Sequence, residues 1–131
     1  MAPTILIVTC EKDRFSTLAS GLKNQIDPNI HWAESGDTAL TAAGNLSPLL
    51  VIIDETLRDM SGLDLARELL KVSALINTAL VSRLPAEDFH EFSEGLGILV
   101  QLPVSPEEKH SEDIVSGLKS VFALPADNTS T

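Results

Sequence analysis

The sequence predicts an α/β fold, a parallel sheet with helices on both faces, from three observations. Short apolar, β-branched runs alternate with stretches whose apolar residues recur at helical spacing. Two of the runs, Ile5 to Val8 and Leu49 to Ile53, are apolar at every position, as strands covered on both faces are. Turn and cap residues separate the segments, so successive strands are joined through helices, which is the βαβ pattern.

Taken in order, Ile5-Leu6-Ile7-Val8 is the first strand and Thr9-Cys10-Glu11 follows it. Phe15, Leu18, Ala19, Leu22 and Ile26 give the first helix its apolar face, with Asp13 as the expected cap. Asp27-Pro28-Asn29 is a turn, and Ile30 to Ala33 is the second strand. Ser35-Gly36-Asp37 opens a second helix with a small-residue face (Ala39, Leu40, Ala42, Ala43, Leu46), which Pro48 stops. The third strand, Leu49 to Ile53, ends on Asp54. A polar loop leads to a third helix carrying Leu63, Leu65, Ala66, Leu69 and Leu70, with Ser61 as its cap.

Thr78 to Val81 is the fourth strand and ends on Ser82. Pro85 suits a first helical position, and Glu87 and Asp88 suit the positive end of the helix dipole. Phe89 and Phe92 supply that helix's apolar side, and Gly95 and Gly97 break it. Ile98 to Leu102 is the fifth strand, ending at Pro103. Ser105-Pro106-Glu107-Glu108 reads as a capping box, and Ile114, Val115, Leu118, Val121 and Phe122 form the core face of the last helix. A domain over 1–125 is expected, with 126–131 as a polar tail or the start of a linker.

The chain has 131 residues, of which 44% are hydrophobic and 21% charged, so one core can form without staples. A single cysteine, Cys10, excludes a disulfide within the chain and fits a reducing compartment. The longest apolar run is far too short for a membrane span, and no secretory signal is legible at the start, so a cytoplasmic location is expected. Nine basic residues stand against 19 acidic ones, a net charge of −10, which argues against non-specific nucleic-acid binding and favours a basic partner or simply solubility, most of these charges reading as a solvated surface. His31, His90 and His110 lack metal-ligand spacing. Asn45-Leu46-Ser47 and Asn128-Thr129-Ser130 match a glycosylation pattern that has no meaning in a cytosolic chain.

In sheets of this kind the chemistry lies beyond the carboxyl ends of the strands. The residues just after each strand are therefore the candidates: Thr9, Cys10 and Glu11, then Glu34 and Ser35, then Asp54 and Glu55, then Ser82 and Arg83, then Leu102 and Pro103. Here the sequence resembles a response-regulator receiver domain, over Thr4 to Leu124. The resemblance rests on three motifs in order. The first is Ile5 to Val8. The second is Leu49 to Asp54 followed by Met60-Ser61-Gly62. The third is Leu102-Pro103-Val104-Ser105-Pro106-Glu107-Glu108.

The resemblance implies a flavodoxin-like (CheY-like), doubly wound five-stranded parallel sheet of order 2-1-3-4-5. It implies that Asp54 is the phosphoacceptor, Ser82 the hydroxyl residue after the fourth strand, and Pro103 the residue after a cis peptide bond. It also implies two-component (phosphorelay) signalling without enzymatic activity. A histidine kinase, an output domain or another signalling protein would be the partner, and the face of the fourth helix, fifth strand and fifth helix the partner surface. No direct nucleic-acid or membrane contact is implied; a homodimer through the same face is.

The departures bear on chemistry. Where the family carries two acidic metal ligands, this chain has Thr9 and Cys10, and only Glu11 follows with a carboxylate. Leu102 stands where the family has a lysine, Arg83 where it has a small residue, and Leu99 where it has an aromatic switch. Phosphoryl transfer to a carboxylate needs a positioned nucleophile, a divalent cation and fixed donors for the phosphoryl oxygens. Asp54 supplies the first; a Mg2+ site built on Glu11 and Asp54 would be weak or absent; Leu102 cannot donate. The expectation is an atypical receiver, a pseudo-receiver acting by protein–protein contact. Its alternative is a phosphorylation-competent receiver in which Glu11 helps hold Mg2+.

Arg83 has two readings, a salt bridge to Asp54 or Glu11 in place of the metal, and a solvated side chain. Cys10 reads as a small partly buried residue before it reads as a reactive thiol. A flavin-binding protein of this architecture would need a Gly- and Ser/Thr-rich phosphate loop, and the loop after the first strand has no glycine. No nucleophile elbow occurs either, which removes the hydrolase reading.

Overall fold

The computed structural model describes residues 2–73 and 75–122, with the backbone alone at Phe122. Five strands, β1 (Thr4–Val8), β2 (Asn29–Ala33), β3 (Leu50–Ile53), β4 (Asn77–Val81) and β5 (Ile98–Leu102), form one parallel sheet of order β2-β1-β3-β4-β5. Five helices alternate with them: α1 (Ser16–Ile26), α2 (Gly36–Leu46), α3 (Gly62–Val72), α4 (Ala86–Phe92) and α5 (Glu108–Phe122).

The pleat sorts the apolar runs into two cores. Ile5, Ile7, Leu50 and Ile52 face Phe15, Leu18 and Leu22 of the first helical segment and Ile114, Val115 and Leu118 of α5. Leu6, Val8, Val51 and Ile53 face Ala39 and Ala43 of α2, Leu65 and Leu69 of α3, and Phe89 of α4. Each fully buried Leu or Ile contributes about 1.5–3 kcal/mol relative to exposure. This is why the fully buried runs Ile5–Val8 of β1 and Leu50–Ile53 of β3 contain no polar residue. No helix among the described residues is long and apolar enough to cross a membrane.

Local chemistry sets the boundaries. Ser35 Oγ accepts from the Thr38 amide at 3.1 Å and Ser61 Oγ from the Asp64 amide at 3.1 Å, so both serines cap as their sequence positions predict. Gly95 and Gly97, at φ 84° and 69°, end α4 in backbone that a side chain would strain. Four details depart from expectation. Asp13 does not cap α1: a 3-10 turn over Lys12–Phe15 precedes the helix, and Asp13 contributes its carbonyl, which accepts from Ser16 Oγ at 2.9 Å. Pro85 is the cap of α4 rather than its first residue.

The capping box expected at Ser105 does not form, because α5 starts at Glu108, and a different pairing of Glu107 with His110 stands at the helix start. The Glu107 amide donates to His110 Nδ1 at 2.8 Å and the His110 amide to the Glu107 carbonyl at 3.0 Å. Phe92 and Val121, expected in the core, lie in the last turns of α4 and α5 and are each 56% exposed. The side chain of Phe122 and the tail 126–131 lie outside the described residues.

Candidate functional site

The site lies at the carboxyl ends of β1 and β3, adjacent inner strands of the sheet. The Asp54 amide donates to Val8 O at 2.9 Å and the Thr9 amide to Ala33 O at 2.9 Å, so both residues continue the sheet by one step and stand side by side above it. Thr9 is fully buried and Asp54 is 5% exposed. A buried carboxylate without partners is expensive, and this one has three. Thr9 Oγ1 donates to Asp54 Oδ2 at 2.7 Å. The Glu55 amide donates to Oδ1 at 2.8 Å. Arg14 Nη2 donates to the same Oδ1 at 2.7 Å, completing an ion pair whose members are 23% and 7% exposed.

Arg14 does more than neutralise Asp54. Its Nε donates to the carbonyl of Val104, in the loop after β5, at 3.0 Å, and its Nη1 lies 3.3 Å from Glu11 Oε2. The hydrogen bond to Asp54, then the attraction of the Asp54 and Glu11 charges, hold its guanidinium protonated beyond its ordinary range, against the opposing effect of burial. Arg14 projects from the 3-10 turn that replaces the expected cap at Asp13, so the turn positions the guanidinium.

The loop after β3 is braced independently. Gly62 donates its amide to Glu55 O at 2.9 Å, and a Cβ on Gly62 would run into the carbonyl oxygen of Asp54, which is why glycine closes the Met60-Ser61-Gly62 turn. Asp59 reaches sideways and accepts the first two amides of α2, Gly36 at 2.8 Å and Asp37 at 3.0 Å. Those two bonds hold its carboxyl below the usual carboxylate range, in the order Gly36 then Asp37.

The remaining predicted residues divide. Glu11 comes to the rim but faces Arg14, with its side chain 66% exposed. Cys10 is exposed and turns away, its Sγ donating to Glu34 O at 3.2 Å. Ser82 Oγ accepts the Leu84 amide at 3.2 Å and has no hydrogen bond to Asp54. Of the two readings of Arg83, the structure matches the solvated side chain and not the salt bridge to Asp54 or Glu11. Its amide and Nε meet Glu55, at 2.9 and 3.7 Å, and its side chain is 75% exposed. Arg14 makes the pairings considered for Arg83, because it enters from the turn directly above Asp54.

Leu102 is 1% exposed and packs in the core with Ile5 and Ile114. The Leu102–Pro103 bond is trans, not cis, since no described peptide bond is cis. Trans is the default for an X–Pro bond by about 0.5–1 kcal/mol, and the loop is held through Val104 instead. Leu99 lies against α5 at Gly117, where an added Cβ would meet Leu99 Cγ at 3.0 Å. Sequence reasoning missed Arg14 and Asp59. The signal for Arg14 was the loss of the acid pair beside a retained Asp54, which calls for a nearby cation.

A divalent cation does not fit these donors. Thr9 spends its hydroxyl on Asp54, Cys10 points elsewhere, Glu11 pairs with Arg14, and Arg14 occupies the open side of the Asp54 carboxylate. Magnesium needs hard oxygen ligands around a free position. Among the described residues no group of three His, Cys, Asp or Glu is placed to hold a metal. What remains above Asp54 is a cavity of about 140 Å³ lined in part by Glu11, Arg14, Asp54 and Arg83.

The architecture and strand order are those of response-regulator receiver (CheY-like) domains, and solved structures bear this out. A CheY-like response regulator receiver domain protein from Methanospirillum hungatei JF-1 is similar at TM-score 0.78 and 19% identity, over 92% of this chain and 96% of that one. The signal receiver domain of an HD domain-containing protein from Pseudomonas fluorescens Pf-5 is similar at TM-score 0.77 and 18% identity, over 93% and 90%. An uncharacterized protein from Neptuniibacter caesariensis is similar at TM-score 0.78 and 22% identity, over 98% and 96%. No family model matches the sequence, and no curated protein matches it. The chain therefore has the receiver fold, and the chemistry at Asp54 has to be argued from its own residues.

Proposed function

We propose that this chain is a signalling module of two-component type that acts through protein–protein contact and does not use Mg2+-dependent phosphorylation of Asp54. The observation that carries the proposal is the engagement of the Asp54 carboxylate by Thr9 Oγ1, Arg14 Nη2 and the Glu55 amide. A nucleophilic carboxylate needs an approachable oxygen and a cation that also reaches the incoming phosphoryl group. Arg14 spends its three donor directions on Asp54, Glu11 and Val104, so it stabilises the unmodified carboxylate.

On this reading the protein is not an enzyme and works in the cytoplasm. Its partners are a histidine kinase, an output domain or another signalling protein. The face of α4, β5 and α5 is the docking surface, and the net charge of −10 favours a basic partner surface.

The test is a titration of Mg2+, then Mg2+ with beryllofluoride (an acyl-phosphate mimic), into isotope-labelled protein, with Asp54→Ala as control. Amides of Glu11, Glu55, Ser82 and Leu102 are followed. The expected result is no saturable shift at millimolar Mg2+. Saturable shifts centred on Asp54 and spreading into α5 would overturn the proposal and favour a phosphorylation-competent receiver using Glu11.

A further inference from the structure

Resting on that reading, we infer that Arg14 is a built-in cation that fixes the loop between β5 and α5 to the centre of the sheet, so that the α5 side of the fold is set without any ligand at Asp54. The argument begins with reach. One guanidinium contacts three segments that are far apart in sequence: Glu11 after β1, Asp54 after β3 and Val104 after β5. β5 is an edge strand, separated from β3 by β4, so no ladder hydrogen bond joins β5 to the strand that ends at Asp54. Arg14 makes that connection above the sheet.

Val104 lies where the chain leaves β5 for α5, and α5 packs beside α1, which the Arg14 turn precedes. The guanidinium thus restrains the entry of α5 from its own neighbour. A planar fork suits this task because its donors leave in fixed, divergent directions. A lysine ammonium in the same place is a point charge and cannot serve a carboxylate and a carbonyl on opposite sides equally well. Leu102, buried in the core, offers no donor of its own to tie the loop. Arg14 is therefore a positioning residue for the loop, acting through Asp54 and Val104.

The experiment compares the full chain with its Arg14→Gln, Arg14→Lys and Asp54→Asn variants by amide shifts, relaxation and hydrogen exchange. In the parent protein the Arg14 Nε–H gives a resolved, slowly exchanging signal, and Asp54→Asn speeds its exchange roughly tenfold. Arg14→Gln raises the mobility of Val104 and Ser105 while amides in α2 and α3 keep their shifts. Arg14→Lys restores the Glu55 amide shift, which reports the paired Asp54, but not the order of the loop. A uniform loss of stability would not produce that split.

Unchanged mobility at Val104 and Ser105 in folded Arg14→Gln protein would overturn the inference. If that variant does not fold, Arg14→Lys decides: an ordered loop in it overturns the inference, a mobile one supports it. None of these outcomes depends on magnesium. The inference can therefore fail while the proposed function stands, and the latter falls to saturable shifts at Asp54 with Mg2+ or with Mg2+ and beryllofluoride.

Discussion

The hydroxyl of Thr9 and the carboxylate of Asp54 meet at 2.7 Å between adjacent strand ends, both out of solvent. The same hydroxyl oxygen accepts the Glu11 amide at 3.0 Å, so Thr9 works as a relay from the turn after β1 to the end of β3.

Thr9→Val keeps the shape and removes the hydroxyl. Asp54 Oδ2 then loses its donor and the Glu11 amide its acceptor. The expected loss is about 1–2 kcal/mol in denaturant unfolding, because a buried polar group left unpaired costs its desolvation. Thr9→Ser should lose less than half of that, since it retains the hydroxyl.

The Arg14–Asp54 pair is mostly buried and charge-assisted. Arg14→Ala should cost about 2–3 kcal/mol, largely from stranding Asp54. Asp54→Asn should cost less, and the double variant should recover part of the loss, giving a coupling of about 1–2 kcal/mol in a double-mutant cycle. Arg83→Ala is the contrast: its ion pair with Glu55 is solvent-exposed, and the change should stay within about 0.5 kcal/mol.

Acid unfolding should report the cap made by Asp59. Its folded carboxyl titrates below its ordinary value of 3.8, so the unfolded state binds the proton first as pH falls. The cap's contribution is complete above that value and is lost as pH drops through the lower folded one. The difference in melting temperature between the parent and Asp59→Asn should therefore be largest above pH 5 and should shrink toward pH 2 in a thermal melt series. A difference that grows on acidification would contradict the assignment.

Two glycines should respond in opposite directions. Gly62→Ala places a Cβ against the backbone oxygen of Asp54, which cannot step aside, and should destabilise by about 2 kcal/mol or more. Gly44→Ala, in α2 with nothing within 4 Å of the new Cβ, should stabilise by about 0.5–1 kcal/mol. Urea unfolding of both variants checks the pair.

The fold was legible because β1 and β3 are buried on both faces and so carry unbroken apolar runs, and because Ser35 and Ser61 announce their helices. The position of Asp54 was legible for the same reason, as the first polar residue after such a run. The partner of Asp54 was not. Arg14 and Arg83 both lie close after strand ends, and choosing between them requires the direction in which the 3-10 turn after β1 points a side chain. Asp59 was invisible because its partners, the amides of Gly36 and Asp37, belong to the backbone of another helix. The trans bond at Pro103 could not be read from a motif in which Leu102 replaces the polar residue.

One feature of the packing bears on how the chain is made. The helix nearest the start, α1, and the last helix, α5, share one core, with Phe15, Leu18 and Leu22 against Ile114, Val115 and Leu118. The opposite core, beneath α2 and α3, is assembled from residues closer together in sequence. During synthesis the α2–α3 side can collapse while α5 is still to be translated, whereas α1 must wait with an apolar flank uncovered. A nascent chain stalled before α5 should therefore expose α1 to chaperones and proteases, and release of α5 should close that window in a single step.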